Sequence, residues 1–158
     1  MYQLLTLTCL ATLISSQKPA APKEPWVAKD VLILQSTKDY KVALATARQA
    51  AARLHASLNL EDYRPNSKTG LTMSNTDCVA NGFTFPAYVA RGRENETAPF
   101  VSIEFSNGYN GFAKGYYLVV AGVGEPGSAK LRQTNALAKQ WYPDAYFKKT
   151  QIWLGCIH

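Results

Sequence analysis

The chain has 158 residues, 47% of them hydrophobic, which is the length of one domain with apolar side chains enough for a core. Lys and Arg outnumber Asp and Glu by 17 to 11, and the resulting charge of +6 at pH 7 favours acidic partners. The basic residues are scattered along the chain without a nucleic-acid-binding motif, so nucleic acid is excluded from the expected partners.

Residues 1–17 carry Leu4, Leu5, Leu7, Leu10, Leu13 and Ile14, then Ser15 and Ser16, before any charged side chain, and read as a secretory signal peptide. The expected location is therefore periplasmic or secreted. No other run approaches the roughly 20 apolar residues of a spanning helix, so no membrane span is expected. Residues 18–28, with Pro19, Pro22 and Pro25, read as an extended spacer, and residues 29–158 as a single domain in which order sets in near Trp26. Signal removal would leave two cysteines, Cys78 and Cys156, and a pair in an exported domain predicts a disulfide between them.

The apolar run 31–35 predicts a strand. A helix follows, capped by Thr37 or Asp39, with Ala43, Ala47, Ala50, Ala51, Leu54 and Leu58 on one face. Residues 61–86, punctuated by Pro65, Gly70, Gly82 and Pro86, read as a loop, and 88–90 as a short strand. In 100–105, Val101, Ile103 and Phe105 alternate with Ser102 and Glu104, the pattern of a strand with one face open to water or ligand. Glycines and aromatics interleave through 106–116 before a strand at 117–121. A second helix starts at Ser128, with Leu131, Thr134, Leu137, Ala138 and Trp141 on one face, and stops at Pro143. A last strand at 146–154 turns Ile152 and Leu154 inward and Gln151 and Trp153 outward.

Residues 31–54 and 117–140 also read as two versions of one strand-helix unit, with Leu32 over Leu118, Ala43 over Ala129 and Ala50 over Ala136. The order β-α-β-β-β-α-β with this repeat predicts an α+β fold, a two-layer sandwich in which two helices cover one face of an antiparallel sheet and leave the other bare. The unmatched insert, residues 61–115, is the expected seat of whatever is particular to this chain.

No catalytic constellation emerges. His55 and His158 are solitary, and no HExxH, paired Cys/His set or G-x-S-x-G occurs, so neither an enzyme nor a metal or cofactor site is expected. Binding is the remaining class. The open face would present Gln35, Ser102, Glu104, Gln151 and Trp153, and the aromatic loop would add Tyr109, Lys114 and Tyr116, with rings suited to stacking on sugars or anchoring a protein.

Leu32-Ile-Leu-Gln-Ser-Thr37 with its alanine helix, and Tyr117-Leu-Val-Val-Ala-Gly122 with a helix running into Gln140-Trp-Tyr-Pro-Asp-Ala-Tyr146, resemble the two halves of the SPOR (sporulation-related repeat) family. The resemblance covers the first and last thirds of the mature domain. It implies a ferredoxin-like sandwich and binding of peptidoglycan glycan strands through the bare sheet face. The expected partner is therefore a cell-wall glycan or another cell-envelope component. The alternative is a periplasmic inhibitor or immunity protein that binds a secreted toxin or hydrolase, with 61–86 and 106–116 as its contact surface.

Overall fold

A computed structural model describes residues 26–60, 63–91 and 99–155. The expected signal peptide, most of the spacer and Cys156 lie outside the described residues. Strand β1 (Trp26–Thr37) is longer than the apolar run that announces it and reaches back to Trp26, inside the stretch read as spacer. Helix α1 (Tyr40–Arg53) is capped by Asp39, whose carboxylate accepts the Lys41 N–H at 2.8 Å, and it buries the alanine stripe Ala43, Ala47, Ala50 and Ala51.

This helix stops one turn before Leu58. His55 takes the left-handed conformation (φ 49°), Ala56 N–H reaches Ala51 C=O at 2.9 Å and His55 N–H reaches Ala52 C=O at 3.4 Å. That is the Schellman closure, here made without glycine. Leu58 consequently falls in a short strand, β2 (Ser57–Asn59), which pairs in parallel with β5 (Phe100–Phe105). The sheet is therefore mixed, not antiparallel. Both strands run away from the end of α1 in the direction of β1, and that shared direction makes the added pair parallel.

The stretch 61–86 is not a plain loop. It holds a hairpin of β3 (Arg64–Asn66) and β4 (Gly70–Thr72), then helix α2 (Asn75–Ala80), capped by the Ser74 hydroxyl. Residues 88–90 form no strand. A single 3-10 turn (Ser106–Gly108) leads from β5 towards β6 (Tyr117–Gly124), and α3 (Ala129–Ala138) and β7 (Tyr146–Trp153) complete the order. On α3, Leu131 and Ala138 are buried while Leu137 is exposed, and Trp141, also exposed, lies beyond the end of the helix at Ala138.

The five-stranded sheet runs β2-β5-β6-β1-β7, with each neighbouring pair among the four longer strands antiparallel. Helices α1 and α3 pack on one face, where Leu32, Leu34, Val101, Ile103, Val119 and Ala121 meet the alanine stripe and Leu131. The other face is not bare. Val31, Ile33, Leu118, Val120 and Ile152 form a second core there with Ala90, Tyr109 and Phe112 from the insert. No helix among the described residues is long and apolar enough to cross a membrane.

Candidate ligand-binding site

The covering layer decides where a ligand can reach the sheet. Segment 83–91 has no strand ladder, so its buried carbonyls need other donors. The hairpin and its flanks provide them. Thr72 Oγ1 and Met73 N–H both donate to Ala87 C=O, at 2.6 and 3.1 Å, and Tyr63 OH donates to Val89 C=O at 3.0 Å. Tyr88 OH donates in turn to Thr69 C=O at 2.9 Å.

Beneath this segment lie Ser102 and Glu104, two of the residues expected on an open face. Both are buried, Glu104 to 2% exposure. Ser102 Oγ donates to Glu104 Oε1 at 2.7 Å, and the Arg91 N–H is shared between the two Glu104 oxygens at 3.2 Å each. The Arg91 guanidinium donates to Asn59 C=O at 2.6 Å and lies 4.5 Å from the Tyr63 ring centre. Glu104 thus fastens the insert to the sheet. Its polarity, which reads in sequence as a solvent face, serves an internal partner.

Tyr109 is likewise no turn tip. It is 1% exposed, packed against Phe112 with ring centres 5.1 Å apart, and its hydroxyl is buried without a hydrogen-bond partner among the described residues. Burial, and then the neighbouring Glu104 charge, hold its phenol well above the ordinary value of 10.0. Burial first, then Tyr40 and Asp39, also raise Tyr117.

The 106–116 loop closes on itself. Ser106 and Tyr116 exchange bonds at 2.9 Å, Asn107 Oδ1 accepts the Gly115 N–H at 2.9 Å, and Lys114 Nζ donates to Tyr109 C=O at 3.0 Å. Lys114 is therefore a strap on the loop, and Tyr116 is half-buried under the Lys38 ammonium at 5.3 Å. Gln35 is also drawn in, with its Oε1 buried and without a hydrogen-bond partner among the described residues.

Gln151 and Trp153 stay accessible, on the outer strand β7. Trp26 and Trp153 are direct cross-strand partners at the end of the β1–β7 pair. Phe83 meets Trp153 edge-on, with centres 5.3 Å apart and planes at 78°. Between these rings, Ile152 and segment 84–90 lies an apolar cleft of about 300 Å3. It collects one of the expected ligand residues, Trp153, and adds Trp26 and Phe83, which sequence reasoning missed. The signal for Trp26 was available in the pairing of an extended β1 with β7. Phe83 had none, since its position depends on α2, where Phe83 N–H donates to Cys78 C=O at 2.8 Å.

Cys78 itself is a buried free thiol. The expected disulfide to Cys156 is not formed among the described residues, and Cys156 lies outside them. Its interior place beside Met73 gives Cys78 the role of a small apolar side chain in the core under the insert. No group of three or more His, Cys, Asp or Glu side chains that could hold a metal ion occurs among the described residues.

Set against protein-family models, curated proteins and solved structures, the chain matches none.

Proposed function

We propose that the protein is an exported, non-catalytic binding module that takes a cell-envelope glycan, with peptidoglycan as the leading ligand, in the cleft between Trp26, Phe83 and Trp153. The observation that carries this reading is the cross-strand tryptophan pair at the mouth of an apolar cleft of about 300 Å3, with Trp26 47% exposed. Indole faces held by a sheet end offer flat, apolar platforms to the C–H faces of a sugar ring, and the polar tips keep the site wet. The net charge of +6 adds attraction to anionic wall polymers.

The order β5-β6-β1-β7, with both crossover helices on one face, supports the resemblance to a duplicated β-α-β, SPOR-like and ferredoxin-like scaffold. The mode of binding departs from what that resemblance implies. The central sheet face is occupied by Tyr109, Phe112 and Ala90, so the ligand is moved to the end of the sheet.

The test is retention of the chain on purified sacculi. Trp26→Ala and Trp153→Ala should each weaken retention by at least about ten-fold. Retention that survives both changes rules out the cleft. Failure of sacculi to retain the unaltered chain, with tight binding to a secreted hydrolase, would put the inhibitor reading in its place.

A further inference from the structure

A second cavity, of about 360 Å3, opens where the β1–α1 connection, the β3–β4 turn and the 106–116 loop converge. Its chemistry is the opposite of the aromatic cleft. Lys38 and Lys68 line it, no Asp or Glu does, and among the described residues neither lysine is ion-paired.

The two amides that line it are fixed in orientation by the backbone. Asn66 Oδ1 accepts the N–H groups of Lys68 and Thr69 at 2.8 and 3.2 Å, and Asn107 Oδ1 accepts the Gly115 N–H at 2.9 Å. A backbone N–H can only be met by the oxygen, so each amide is left with its NH2 group as the end free to serve a ligand. Ser67 adds a hydroxyl. The lining therefore offers two positive charges, two NH2 groups and a hydroxyl, drawn from three separate segments of chain.

We infer that this cavity is a binding site for a phosphate group. Two ammonium charges match a dianion, and ammonium groups bind phosphate as point charges without demanding one planar geometry. Donors arriving from three segments suit a tetrahedral group, whose oxygens point in several directions, better than a planar carboxylate. The site is independent of the aromatic cleft and stands whether or not that cleft takes a glycan.

Amide chemical shifts of the full chain, followed during titration with inorganic phosphate against chloride at equal ionic strength, test the assignment. Saturable shifts at residues 66–70, 107 and 115 are expected with phosphate alone. The double variant Lys38→Gln, Lys68→Gln should weaken them at least about ten-fold, since bonds to charged groups carry the affinity. Lys139→Gln with Lys149→Gln removes the same charge elsewhere and should leave binding unchanged. Equal weakening by the two double variants, or shifts that follow ionic strength without saturating, would overturn the inference. Glycerol 3-phosphate binding tighter than inorganic phosphate supports a phosphoester as the source, and the reverse order supports the free ion.

Discussion

Tyr109 separates a buried insert from an exposed ligand loop. Its ring is 1% exposed and shared between Phe112 and the sheet residues of the second core, so Tyr109→Ala removes a complete aromatic contact and leaves a cavity. Transfer of such a ring is worth about 2 kcal/mol and the cavity a similar amount, giving a loss of about 4 kcal/mol. With a urea slope of about 2 kcal/mol/M, the unfolding midpoint should fall by about 2 M. Tyr109→Phe keeps the ring and removes a hydroxyl that has no partner among the described residues. It should be neutral, or stabilising by up to about 1 kcal/mol. Equilibrium urea unfolding of the two variants reads both signs. A loss below about 1 kcal/mol for Tyr109→Ala is what a surface tyrosine gives, and would refute the closed face.

Two further outcomes follow from the same region. Gly70 sits at φ 71°, and a Cβ there would lie 2.1 to 2.5 Å from the Phe105 ring, which is itself held between Tyr88 and Tyr117. Gly70→Ala should destabilise by about 2–4 kcal/mol in thermal or urea unfolding, from backbone strain together with overpacking. Because the Tyr109 phenol is raised in the folded state, the unfolded chain releases its proton first as pH climbs past 10.0, the ordinary value. The stabilisation is complete below that pH and lost above it, by up to about 1.4 kcal/mol per pH unit for this group. Unfolding measured on either side of that pH should show a steeper decline for the unaltered chain than for Tyr109→Phe, and equal slopes would remove Tyr109 from the account.

Legibility in the sequence follows the range of the interactions. The strand-helix repeat and the alanine stripe of α1 depend on local periodicity, and Ala43, Ala47, Ala50 and Ala51 are buried as their spacing requires. The end of α1 was hidden because His55 occupies the left-handed position that normally announces itself as glycine. The alternation in β5 marks two faces, with Val101 and Ile103 towards the helices. What it could not reveal is that Ser102 and Glu104 answer the Arg91 N–H and each other instead of water. A polar strand face looks the same beneath solvent and beneath a polar lid. The cleft was the least legible feature, since Trp26, Phe83 and Trp153 come together only through β1–β7 register and the docking of the insert.

The closed face also constrains where the proposed glycan ligand would bind. Exposing the sheet would require Tyr109 and Phe112 to leave the second core, at about 1.5–3 kcal/mol for each ring. A ligand using that face would lose about two to four orders of magnitude in apparent affinity to the opening step. The cleft needs no such step, because Trp26 and Trp153 already stand at the end of the β1–β7 pair. Saturation with soluble fragments of sacculi should therefore leave amide hydrogen exchange across residues 100–112 unchanged or slower, while the ends of β1 and β7 around the tryptophans gain protection. Faster exchange of the β5 and 106–112 amides on ligand addition would mean that the insert lifts, and that the sheet face, rather than the tryptophan cleft, receives the ligand.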